Sequence, residues 1–187
     1  MNLVVIRHAR AESRKEFARR GDDDDLRPLT DDGRERMRLG AAGLHRLVRE
    51  LDLLVTSPLR RARETADLIA AEFDAPDVLE IEELRPETAP DAFDEWLRDA
   101  AAQETIAVVG HEMHLRQLTG WLMTGRADPV VAIKKGGALM LELRRRAKRH
   151  WGPGSGTLRW SLTPRQLRML GRSIIEQPLA DAQRAVE

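Results

Sequence analysis

The chain has 187 residues, 42% hydrophobic and only 4% aromatic, with no Cys and no Tyr. That length fits one compact domain with a core of Leu, Val, Ile, Ala and Met, and the absence of Cys excludes disulfides, thiolate catalysis and thiolate metal sites. Lys plus Arg and Asp plus Glu each number 31, so the formal net charge is zero; this argues against a generic nucleic-acid or membrane binder. Arg dominates the cations, and its planar fork suits phosphate oxygens.

In chain order, Asn2 to Ile6 reads as a short buried strand, too short for a signal peptide or membrane span. The expected location is the cytoplasm. The charged stretch from Arg10 to Arg27, with its Asp22–Asp25 run, reads as a solvated loop; it lacks the Gly and terminal Glu of a calcium loop. Thr30 is placed to cap a helix beginning at Asp31, with Met37, Leu44, Leu47 and Val48 at helical spacing. Leu53 to Thr56 reads as a second buried strand. Ser57-Pro58 then supplies a cap and a first-turn Pro for a helix whose apolar face holds Ala62, Ala66, Ile69 and Phe73. Val78 to Ile81 predicts a third strand and Ala89 to Ala102 a helix. Thr105 to Val109 predicts a further strand, running into Gly110-His111 and a helix over about 113–123. Ala138 to Leu143 and Leu158 to Leu162 alternate as antiparallel or edge strands, on either side of a Gly/Pro turn region. Thr163-Pro164 opens a terminal helix. The organisation expected is one domain over 1–171 and a tail over 172–187. Strands alternating with amphipathic helices imply an α/β fold with a mainly parallel sheet.

Ligands of such sheets bind outside the carboxyl ends of the strands. Three strand ends carry Arg7-His8, Ser57-Pro58-Leu59-Arg60-Arg61 and Gly110-His111. Two histidines and several arginines on one rim have the composition phosphoryl transfer needs, a nucleophile with fixed positive charge around the equatorial oxygens. Read singly, each residue has a plainer account: a structural His, or a solvated helix face for Arg60, Arg61 and Arg63. Those accounts require several coincidences at equivalent strand ends. His45 is expected on a solvated face. His114 is expected either to line the pocket or to pack, and His150 to sit at a solvated strand end after the basic run Arg144–Arg149. His111 and His114, three apart with Glu112 between, lack the HExxH spacing, so no metal is expected.

Val4-Val5-Ile6-Arg7-His8-Ala9 resembles the Arg-His-Gly signature of the histidine phosphatase superfamily. Ser57 to Ala66 resembles its second motif and Val109-Gly110-His111-Glu112 its third. Arg27-Pro28-Leu29-Thr30 with Gly33, Lys134-Lys135-Gly136-Gly137 and Leu162-Thr163-Pro164 resemble the SixA-type phosphohistidine phosphatases in particular. The resemblance implies a three-layer, phosphoglycerate mutase-like fold with helices on both sheet faces. It implies His8 as nucleophile, with Arg7, Arg61 and His111 binding the phosphoryl oxygens, the Glu112 N–H as a further donor, and no cofactor. Arg61 rather than Arg60 fits the motif, four residues before Thr65. A general acid is expected after the third strand, where Glu82, Glu83 and Glu87 are available and Glu83 fits best. Ala9 departs from the motif's Gly, which raises the question of a positive φ. The expected substrate is a phosphorylated protein, above all phosphohistidine, or a small phosphorylated molecule. The rival readings are a mutase using the same intermediate and a phosphate-binding module without turnover.

Overall fold

A computed structural model describes residues 1–74, 78–100, 102–144 and 151–172. Within them a six-stranded mixed sheet runs in the order β3-β2-β4-β1-β5-β6. The strands are β1 (Asn2–Arg7), β2 (Leu53–Thr56), β3 (Leu79–Glu80), β4 (Thr105–Gly110), β5 (Ala138–Leu143) and β6 (Gly156–Leu162). β3, β2, β4 and β1 are mutually parallel, whereas β5 and β6 are antiparallel to their neighbours. The helices are α1 (Arg14–Arg19), α2 (Asp31–Leu47), α3 (Arg60–Phe73), α4 (Pro90–Asp99), α5 (Glu112–Thr124) and α6 over 164–172.

Strand alternation divides the core in two. Val4, Ile6, Ala107 and Val109 point to the face covered by α2, α3 and α6, where Met37, Leu44, Ala66, Ile69 and Leu167 meet them. Leu3, Val5, Ile106 and Val108 point to the other face, against Phe93 and Leu97 of α4 and Leu115, Leu118 and Leu122 of α5. The fold is therefore three-layered, and β1 lies centrally between β4 and β5, where both faces are covered and a continuous apolar run is required.

Helix starts follow local chemistry. Thr30 caps α2 by accepting from Gly33 N at 3.0 Å, with Asp31 and Asp32 in the first turn and His45 and Arg46 in the last, complementing the helix dipole. Leu47, expected on the apolar face, is instead exposed, while Val48 just beyond the helix is buried. Ser57-Pro58 does not open α3: the helix begins at Arg60 after Leu59, which gives no side-chain cap. The Ser57 hydroxyl accepts from Leu59 N at 3.4 Å and makes its shorter contact, 2.9 Å, with His111. α4 ends at Asp99, short of the predicted Ala102. The charged stretch before Arg27 is more ordered than a solvated loop. Ser13 caps α1, and Asp24–Leu26 forms a single 3-10 turn. Thr163 and Gln166 bond reciprocally at the start of α6, a capping box. The Arg145–His150 part of the basic run, with His150, and the tail beyond residue 172 lie outside the described residues. No helix among the described residues is long and apolar enough to cross a membrane.

Candidate active site

The β1–β4 pairing places Arg7 opposite Gly110, so the next residues, His8 and His111, leave neighbouring strand ends side by side. Their ring centroids are 5.3 Å apart. The loop between α5 and β5 closes over the same end: Gly136 N donates to the carbonyls of Arg7 and His8 at 3.0 and 3.1 Å. Gly136 holds φ at +73°, a conformation suited to Gly.

His8 is almost fully buried, and its Nδ1 lies 2.8 Å from the Ala9 carbonyl oxygen. A carbonyl only accepts, so Nδ1 carries the proton and Nε2 holds the free lone pair. Burial pushes the His8 pKa down to about 3, with the charges of Arg61, Arg7 and Lys135 acting in the same direction against the Ala9 bond. The imidazole is neutral at physiological pH. Ala9 does not take the left-handed conformation, since Asp74 is the one non-glycine residue with positive φ among those described. Its methyl is buried, and its N–H donates to Thr65 Oγ1 at 3.0 Å. Thr65 in turn donates to the Arg61 carbonyl at 2.7 Å, which ties the β1 end to the first turn of α3.

Arg61 is 5% exposed and lines the cavity, whereas Arg60 is exposed and pairs with Glu64 at 2.8 Å. The Arg61 guanidinium donates to the Asp24 carbonyl at 2.9 Å and lies 3.4 Å from its carboxylate. Arg7 donates to the Ile133 carbonyl at 2.9 Å and pairs with Glu112 at 2.8 Å. His111 Nε2 meets Ser57 Oγ at 2.9 Å, and burial lowers its pKa to about 2, with His8 and Arg61 adding to the effect. Arg7, His8, Asp24, Arg61, His111 and Glu112 line one cavity of about 940 Å³.

Sequence reasoning missed three of its walls. Arg27 is buried and donates to Asp24 at 2.8 Å and to the Glu12 carbonyl at 2.9 Å. Lys135 stands at the rim, and Asp24 links Arg27 to Arg61. Burial opposes ionisation of Asp24, but the Arg27 hydrogen bond and the Arg61 charge outweigh it and hold its pKa low. An odd buried arginine beside an acidic run was the available signal. Glu83, favoured as the acid, does not line the cavity; Glu87 does. The 3-10 turn Glu82–Leu84 is anchored by buried Ile81 and Leu84, which carries Glu83 away from the rim. Glu112 contributes its side chain, through Arg7, in addition to its place at the start of α5. His114 is fully buried with neither ring nitrogen hydrogen-bonded, and it packs rather than lining the pocket. His45 is half-exposed against Phe73 and Glu72. Among the described residues, no group of three or more His, Asp or Glu is arranged to hold a metal ion.

Residues 3–86 match the family model of the histidine phosphatase superfamily, branch 1. The chain is 34% identical over 143 residues to an uncharacterised protein of Picosynechococcus sp., an alignment covering 75% of this chain and 84% of that one. Its fold is similar to that of the protein histidine phosphatase SixA solved with tungstate: TM-score 0.74, 22% identity, 89% of this chain and 99% of the other covered. The alpha-ribazole phosphatase from Shigella flexneri is similar too, with TM-score 0.65, 20% identity, and 88% and 97% covered.

Proposed function

The chain belongs to the histidine phosphatase superfamily, and on that premise we propose that it hydrolyses phosphorylated substrates through a covalent phosphohistidine on His8, with protein phosphohistidine as the preferred substrate. The observation that carries this reading is the state of His8: neutral, its tautomer set by the Ala9 carbonyl, and flanked by Arg7, Arg61 and His111.

In the first step the Nε2 lone pair attacks phosphorus in line. The P–Nε2 bond forms as the bond to the leaving group breaks, and the leaving group takes up a proton from solvent. Arg7 and Arg61 offer guanidinium N–H groups to the equatorial oxygens, and His111 is a third contact. An arriving dianion reverses the Coulomb effect of these neighbours and favours a protonated, donating His111. In the second step water attacks phosphorus and yields a proton to solvent, the P–Nε2 bond breaks, and phosphate leaves with His8 restored.

The carboxylates around the cavity bear on the leaving group. Glu12, Asp24, Asp25 and Glu112 each sit within 3.4 Å of an arginine nitrogen, Glu87 lies 3.8 Å from Arg85, and Glu16 lines the cavity with no ion pair among the described residues. Asp24, whose pKa the Arg27 hydrogen bond and the Arg61 charge hold low, is a poor proton donor. A donor whose leaving group departs easily needs no strong acid beside it. Imidazole leaves far more readily than an alkoxide, and transfer from one histidine to another is close to balanced in energy. This supports phosphohistidine over alkyl phosphates.

His8→Ala is expected to abolish turnover of a phosphohistidine peptide. Wild-type protein mixed with phosphoramidate should acquire an acid-labile, alkali-stable phosphoryl group that maps to His8. Full activity of His8→Ala would sink the mechanism. Binding of phosphate without hydrolysis of any activated donor would favour the non-catalytic module.

A further inference from the structure

Beside the catalytic cavity lies a second, smaller pocket of about 220 Å³. Ala9, Gly136, Met37 and Pro164 form its apolar floor, and Arg10, Arg36, Lys135 and Arg168 stand around it. Arg10 and Lys135 line both pockets, so the two adjoin. Arg168 also borders a depression on the outer face of α6 with Arg165, Met169 and Arg172. A basic groove thus runs from the His8 rim, between α2 and α6, onto the molecular surface.

The cations of this groove are poorly neutralised. Asp32 is shared by Arg10 at 3.4 Å and Arg36 at 2.6 Å. Among the described residues, Lys135, Arg165, Arg168 and Arg172 have no acidic partner within ion-pair distance. Elsewhere on the surface arginines are mostly paired, as in Arg34–Glu64, Arg63–Asp67 and Arg85–Asp25. Burial lowers the pKa of both Arg168 and Lys135; Arg36 and Arg172 add to it at Arg168 against Asp32, and Arg7, Arg27 and Arg10 add to it at Lys135 against Glu112. A molecule of zero net charge that gathers unpaired cations along one groove has an electrostatic shape that an anion completes.

We propose that this groove docks an acidic segment of the phosphoprotein substrate, seating a Glu or Asp in the pocket between Arg36, Lys135 and Arg168 while the phosphorylated residue reaches His8. The inference rests on the phosphohistidine reading above. Three features favour a protein segment. The groove extends past the pocket onto α6, which a single small substrate does not span. The pocket floor is apolar beneath a charged rim, which matches the methylene stem and carboxylate of an acidic side chain. Met169 is 59% exposed among the arginines, and Met with Arg is the composition of protein interfaces.

The test uses two peptides with a central phosphohistidine, one flanked on both sides by Glu and the other by Gln, together with their unphosphorylated forms. For the wild type, kcat/KM on the Glu peptide is expected to exceed that on the Gln peptide by about tenfold, mainly through KM, and to lose that advantage at high salt. Arg165→Glu/Arg168→Glu should erase the preference while leaving hydrolysis of free phosphohistidine unchanged. Arg168→Gln, a milder change, should remove part of it. Fluorescence anisotropy with the unphosphorylated peptides reads docking without catalysis and should show the same order. Equal affinity for the Glu and Gln peptides, or a Glu preference untouched by the arginine variants, overturns the docking proposal. Failure to hydrolyse either phosphopeptide, with the Glu preference in binding intact, overturns the catalytic reading and leaves the docking site standing.

Discussion

At the scale of single residues, the buried arginines of the site already have partners. Arg61 holds Asp24, and Arg7 holds Glu112. On the proposed reading, a phosphoryl group entering this cavity would exchange with carboxylates rather than meet bare guanidinium groups. Arg61→Lys keeps the charge and loses the planar fork, so kcat/KM on a phosphohistidine peptide is expected to fall by about 10²-fold. Asp24→Asn removes the competing anion; inorganic phosphate should then inhibit at lower concentration than in the wild type, and unchanged inhibition would refute the exchange. Much of this was legible in the residues: Arg7, His8, Arg61 and His111 stand at strand ends whose apolar runs are unmistakable. The Asp24–Arg61 contact was not, because it joins residues 37 apart through the packing of a 3-10 turn against α3, and an aspartate run reads locally as solvated. Glu83 and Glu87 differ in place because Leu84 is buried, a tertiary fact with no local signature between two acidic residues.

At the scale of elements, α2 meets α6 through glycine. A Cβ on Gly43 would stand 1.9 Å from the Leu167 carbonyl oxygen, and one on Gly171 2.1 Å from that of Leu39. The helices approach closely enough for backbone contact, which sets the width of the basic groove between Arg36 and Arg168. Gly40, one turn earlier, has nothing within 4 Å of its would-be Cβ. The pair makes a controlled experiment. Gly→Ala inside a helix gains up to about 1 kcal/mol from propensity. At position 40 that gain should appear as a higher denaturation midpoint. At position 43 a clash with rigid backbone costs about 1–3 kcal/mol, so the midpoint should fall; equal midpoints for the two variants would contradict this packing. Helix and strand identities followed from periodicity, but α1 did not, since six residues of mostly charged sequence with one buried Phe17 carry too little pattern. The start of α3 was misplaced because Ser57 is engaged by His111, a partner 54 residues away that overrides its capping propensity.

At the scale of the whole molecule, three neutral histidines are enclosed. Burial is the leading cause that lowers His8 to about 3, His111 to about 2 and His114 to about 4. The unfolded chain titrates near the ordinary 6.5 and binds more protons than the folded one below that pH. Stability present above pH 6.5 is therefore lost as pH falls toward the folded values, by about 1.4 kcal/mol per histidine per pH unit. Melting temperature should drop steeply between pH 6.5 and 5, and His114→Leu should make the drop shallower by about a third. A melting temperature flat to pH 4.5 would show that the three rings are hydrated. The central place of β1 has a consequence for how the chain reaches this state. Asn2 pairs with Thr105 on one side and Glu142 on the other, so the strand that carries His8 waits, unpaired and wholly apolar at Leu3 to Ile6, while the intervening segments are synthesised. At ribosomal speeds that interval is about ten seconds. Until β5 emerges, the nascent protein displays a ready-made hydrophobic strand, and chaperone capture of that segment during translation is the natural protection against aggregation.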